Sequence, residues 1–145
     1  MQDRPTTPEA LEAVRDFLAQ ELLPSLSDPR RRYHLQIALN VLRIVEREAE
    51  GEDARLRAEY AALRDLLGLP PAAPPEDPAA LRQAVLEANR TLCARIRQGD
   101  ADAGSWRQRV VAHVEASVEA KLAVNNPAVL AAFRAEAAAG SQGAS

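Results

Sequence analysis

The sequence predicts an all-α protein, and three observations carry that expectation. Ala, Leu, Arg and Glu dominate the 145 residues, and all four rank high in helix propensity. Apolar residues recur at spacings of three and four, whereas Val/Ile/Thr-rich alternation, the mark of strands, is absent. Prolines stand where helices begin: "TTPEA", "SDPRR", "EDPAA" and "NNPAV" each set a Thr, Asp or Asn immediately before a proline, the order of an N-cap and a first helical turn.

Taken in order, the first helix is expected at about residues 7–23, with Thr6 or Thr7 as cap. Leu11, Val14, Leu18 and Leu22 lie on one side with Phe17 flanking, and Pro24 stops it. Asp28 and Pro29 open a second helix, 29–50, which closes at Gly51. A third, 53–67, carries Leu56, Tyr60, Leu63 and Leu67 up to Gly68. "LPPAAPPEDP", 69–78, has five prolines in ten positions and is expected extended, partly polyproline II. Asp77 restarts a helix at 78–98 whose Leu81, Val85, Ala88, Leu92 and Ile96 form one line. Ser105 is expected to cap 106–124, bearing Val110, Val114, Val118 and Leu122. Asn126 caps a short helix, 127–138, with Val129, Leu130 and Phe133 as its apolar side, and 140–145 is a disordered tail rich in Ala, Gly and Ser.

The second helix is out of proportion. In "YHLQIALNVLRIVERE", 33–48, apolar residues cover most of the wheel, and the polar Gln36, Asn40, Arg43 and Arg47 fall in one narrow wedge. A surface helix normally shows a single apolar stripe and a broad polar face. The expectation is therefore a single bundle of five to six helices, 1–139, packed around the helix at about 29–50. A division into two halves at the proline-rich connection would leave each below about 80 residues, where cores are marginal.

Charge and composition exclude several classes. A net charge of −3 and a pI near 5.5 lack the basic footprint of a nucleic-acid binder. One cysteine, Cys93, allows no internal disulfide and suits a reducing compartment. The polar start "MQDRPTTPEA" has no apolar signal core, and no apolar run reaches the ~18 residues of a membrane span. A cytoplasmic protein is expected.

No catalytic constellation emerges. None of the six glycines belongs to a phosphate-cradling loop. His34 and His113 are far apart, with no cysteine at ligand spacing. Cys93 flanks an apolar stripe and is expected to be a small buried hydrophobe. The expectation is a non-enzyme with no cofactor and no metal. Three features stand out instead. The wedge Gln36, Asn40, Arg43, Arg47 reads as a solvent strip, with the arginines pairing locally to Glu46 and Glu50, or as a recognition strip at a subunit interface. "RRR", Arg30, Arg31 and Arg32, lies at the start of a helix, where cations oppose the dipole; it is a solvated run or a docking site for an acidic surface. "KLAVNNP", 121–127, holds the only lysine, Lys121, at the edge of an apolar face, followed by Asn125 and Asn126 at a corner between helices.

The opening "RPT…LEAV..FL..ELLP.L", the helix "H…ALNVLRIVERE" and the corner "KLAVNNP", in this order, resemble a family of small helical bacterial proteins. Their genes lie beside an aminoglycoside-phosphotransferase-like kinase and an acyl-CoA dehydrogenase-like protein. The family includes the small accessory subunit of the 4-hydroxyacyl-CoA kinase of levulinate catabolism. The resemblance spans most of 4–130. It implies a non-catalytic subunit that binds and supports such a kinase, and it transfers no catalytic residues. Arg4, Pro5, Asn40, Arg43, Glu46, Arg47, Lys121, Asn125, Asn126 and Pro127 match and are expected to serve structure or partner contact. Two other classes compete: a self-associating helical module, dimeric when free, that holds a small apolar or acyl ligand, and an enzyme using Lys121, His34 or His113 as a base.

Overall fold

The computed structural model describes residues 4–142, with side chains to 139. All its regular elements are helical: α1 (Thr7–Phe17), a π-helical stretch (Leu18–Leu22), α2 (Leu23–Ser25), α3 (Pro29–Ala49), α4 (Glu52–Leu67), α5 (Pro78–Arg97), α6 (Gly104–Asn125) and α7 (Pro127–Gln142). Contacts group them into two compact units, Met1–Glu52 and Asp53–Ser145. The division falls just after Gly51, where φ is +76°, and not at the proline-rich connection.

In the first unit, a capping box starts α1. Thr6 N–H donates to Glu9 Oε2 at 2.8 Å and Glu9 N–H to Thr6 Oγ1 at 3.4 Å. The helical path does not stop at Pro24. It widens first: Leu23 N–H donates to Leu18 O, five residues back, and the helical path then runs through Pro24 to Ser25. A π-turn adds room just where a proline ring would press on the preceding turn. After Leu26 turns extended, Asp28 accepts from Arg30 N–H at 2.9 Å and begins α3. Helix α1 packs on α3 through the side carrying Leu35, Leu39, Leu42 and Glu46, of which Leu39 and Glu46 are buried.

The second unit has its core where α4, α5 and α6 converge. Tyr60, Leu63, Leu66, Leu81, Val85, Leu92 and Val110 form one buried cluster. Polar links tie the same helices: Asn89 Nδ2 donates to Glu59 Oε1 at 3.0 Å, and Arg109 to both Asp65 O and Oδ2 at 2.9 Å. Helix α4 ends at Gly68, φ +70°, where Leu69 N–H reaches back to Arg64 O at 2.9 Å; the left-handed residue at this cap is one that glycine adopts without cost. The proline-rich segment is pinned at its start by Arg64, which donates to Pro70 O and stacks 5.4 Å from the Tyr60 ring. Asp77 accepts from Ala80 N–H at 2.8 Å to restart the chain as α5.

Trp106, in the first turns of α6, donates Nε1–H to Leu66 O at 2.9 Å and lies 4.1 Å under the Arg95 guanidinium. Trp106→Phe is expected to lower stability by about 1 kcal/mol, because a part-buried carbonyl loses its donor, with the far-UV circular dichroism of the folded state unchanged. A shift under a few tenths would mean that water replaces the indole.

Several expectations need correction. Ser105 does not cap α6; its start has no side-chain cap, and Gly104 opens it at φ +82°. Cys93 is exposed, because it sits beside the buried Leu92 on the solvent flank of α5. Only Val110 of the α6 line is buried; Val114 and Val118 are 44% and 49% exposed. The Ala-rich run 135–139 carries α7 to Gln142, past the expected end at 138, so the helix takes in the first part of the expected tail 140–145; residues 143–145 lie outside the described residues.

Candidate functional site

The side chains that define this site are apolar ones left uncovered, and each unit presents its own set. In α3, the side opposite Leu39 and Glu46 carries Tyr33, Ile37 and Val41 at four-residue spacing, exposed by 62%, 47% and 51%. Val45 continues the line at 39%, and Ile44 is half-buried. The expected central helix is therefore covered on one side only. Its excess of apolar residues is accounted for: α1 takes one face, and the opposite face is bare. Isolated exposed hydrophobes are ordinary, whereas a contiguous stripe marks an interaction surface.

In the second unit, α7 folds back on α6, held by Leu130, 7% exposed, and by Arg134 to Glu119 at 2.7 Å. The other side of α6 bears Val111, Val114 and Val118, all exposed, and α7 adds Val129 and Phe133. At 100° per residue, Lys121 and Asn125 fall on the same side of α6 as Val114 and Val118; both are exposed. The corner that follows is built by Asn126, whose Oδ1 accepts from Val129 N–H at 3.3 Å and whose own N–H donates to Leu122 O at 2.8 Å. Asn126 thus ends one helix and caps the next, with Pro127 as its first residue.

The polar wedge of α3 divides by role. Gln36, Asn40 and Arg43 are exposed and Arg47 is half-buried. The triple arginine also separates. Arg31 Nε lies 3.5 Å from Asp28 Oδ2 at the helix start. Arg32 folds back to donate to Leu23 O and Leu26 O, both at 3.1 Å, closing the carbonyl end of α2. Arg30 is exposed, with its backbone N–H taken by the Asp28 cap.

Glu46 does not pair along its own helix as expected. It is 8% exposed and accepts from Arg15 of α1 at 2.8 Å. Arg15 also donates to Asp16 Oδ1 from Nε at 3.2 Å and from Nη2 at 2.9 Å, and lies 3.6 Å from Glu12. The hydrogen bond to Asp16 does most to hold this guanidinium above its ordinary pKa, against desolvation and with help from the charges of Glu46, Asp16 and Glu12. Sequence reasoning missed Arg15 altogether. A cross-helix ion pair leaves no trace in local spacing, and position 15 is one of the unmatched places in the opening "LEAV..FL" that carries the resemblance.

His34 is exposed and His113 half-buried, on helices of different units. Among the described residues, no group of three or more His, Cys, Asp or Glu side chains could hold a metal. No helix among them is long and apolar enough to cross a membrane. A shallow depression on the first turns of α6, lined by Asp102, Arg107, Val111 and Glu115 among others, lacks the convergent polar groups of a ligand pocket.

These features define an all-α protein whose distinctive chemistry lies on open helix faces. The chain belongs to the family described as a domain of unknown function, DUF6285, which matches residues 24–129. That span takes in α3 whole, the core of the second unit and the Asn126 corner. Neither the curated proteins nor the solved structures contain a match to it.

Proposed function

We propose that this protein is a non-catalytic accessory subunit that binds and supports an aminoglycoside-phosphotransferase-like kinase acting on a hydroxyacyl-CoA. The observation that carries the reading is the bare valine stripe of α6, Val111, Val114 and Val118, running into Lys121 and Asn125. It combines apolar anchors with directional polar groups, the composition of a protein–protein contact. The same stretch ends in "KLAVNNP", one of the three segments on which the family resemblance rests. The role of the Asn126–Pro127 corner is then to fix the direction of α7 beside that stripe, while Lys121 and Asn125 meet the partner.

The test is co-expression with the kinase of this type from the same genome, followed by size-exclusion chromatography and a phosphotransfer assay. A stable complex more active than the kinase alone is expected. Val114→Asp and Val118→Asp, both surface changes, are expected to weaken the complex by about a hundredfold, since each would bury a charge at the contact. Separate peaks with equal kinase activity would reject the reading.

A further inference from the structure

The bare face of α3 has a symmetry of its own. Stepping 100° per residue, the side opposite the α1 contact carries, in order, Arg30, Tyr33, Ile37, Val41, Ile44 and Glu48. Arg30, Tyr33, Ile37, Val41 and Glu48 are exposed. The apolar residues occupy the middle, a cation one end and an anion the other. Turned end for end about position 39, the face complements itself: Arg30 meets Glu48, Tyr33 meets Ile44, His34 meets Val45, and Ile37 meets Val41. An isologous two-fold contact requires this property, because the same patch must complement itself when turned end for end.

We infer that the Tyr33–Ile37–Val41 face of α3 is a self-association surface, on which a second copy of this chain lays its own α3 antiparallel, with the two-fold axis at position 39. In that register Ile37 of each copy packs on Val41 of the other, and Tyr33 covers Ile44. Arg30 of each copy meets Glu48 of the other at both ends of a contact about 27 Å long at 1.5 Å per residue. Opposite charges placed at the ends fix both direction and register, as flanking charges do in paired helices. A parallel pairing would set Arg30 against Arg30 and Glu48 against Glu48. The inference stands apart from the kinase reading, which uses α6 in the other unit.

The experiment is analytical ultracentrifugation of the full chain over a concentration series. A reversible dimer of the 15.7 kDa chain is expected. Ile37→Asp and Val41→Asp, both on the exposed face, are expected to weaken it about a hundredfold or more while leaving the helical circular dichroism intact. Arg30→Glu and Glu48→Arg are each expected to weaken self-association. Mixed in equal amounts, the two variants are expected to form a heterodimer. At one end of that contact the two introduced charges meet as an opposite pair, and at the other end the unchanged Glu48 of the first variant meets the unchanged Arg30 of the second. A wild-type monomer throughout, or a dimer indifferent to Ile37→Asp and Val41→Asp, would overturn the inference. Loss of pairing without recovery in the mixture would overturn the antiparallel register. Retention of kinase binding by the α3 variants would show the two surfaces to be independent, and its loss would contradict that.

Discussion

Leu81→Ala is expected to destabilise the second unit by about 3 kcal/mol or more, with Leu63→Ala close to it. Both side chains are completely buried, and they belong to a core with few aromatic groups to relax into the space. For a unit of this size the loss corresponds to a fall in melting temperature of at least about 10 °C. Denaturant titration should show a lower midpoint with an unchanged slope, since no surface is added to the unfolding transition. A cost below about 1 kcal/mol would mean that α4 and α5 collapse into the cavity, and that the convergence on α6 is looser than the burial of Leu92 and Val110 implies.

The second large effect is expected at Arg15. Arg15→Met leaves Glu46 as a carboxylate 8% exposed without the guanidinium 2.8 Å away, and the melting temperature of the first unit should fall by several degrees. The double variant Arg15→Met/Glu46→Leu should recover most of that loss. Breaking one half of a buried pair strands a charge, whereas removing both halves replaces it with apolar contact between α1 and α3. The coupling between the two positions, read from the full mutant cycle, isolates the interaction. Additive effects would show that Asp16 and Glu12, the other carboxylates around Arg15, carry it and that Glu46 is solvated by other means. No pH step from Arg15 is expected in the accessible range. Its pKa is raised above an already strongly basic ordinary value, so its contribution is complete at every pH at which the fold is studied and is lost only in stronger alkali.

Helix starts are the most legible part of this chain because they are local. A capping side chain and a proline within three residues declare themselves, and the caps of Asp28, Asp77 and Asn126 stand where those signals lie. Core positions in α4 and α5 are also legible, since Leu63, Leu81, Val85 and Leu92 repeat at helical spacing and each has a packed side to turn toward. The same rule over-extends on α6: Val114 and Val118 keep the period of Val110, but the converging helices reach only as far as Val110. Periodicity states which residues share a side; it does not state whether anything covers that side. The apolar excess of α3 poses a question whose answer depends on a packing partner that spacing does not encode. Arg32 and Glu46 illustrate the remaining gap. Each reads as part of a local charge pattern, yet each acts across a turn or between helices, on Leu23 and Leu26 in one case and on Arg15 in the other.

Trp106 is the chain's only tryptophan, and it reports from one place alone. Its indole is hydrogen-bonded within the second unit and lies beneath Arg95, so tryptophan emission reports the surroundings of that unit. A spectroscopist who tracked unfolding by tryptophan emission would read Leu81→Ala in the unit it disturbs, whereas Arg15 belongs to the unit without a tryptophan. The backbone amide signal, which both units supply, is the optical channel in which the whole molecule can be heard.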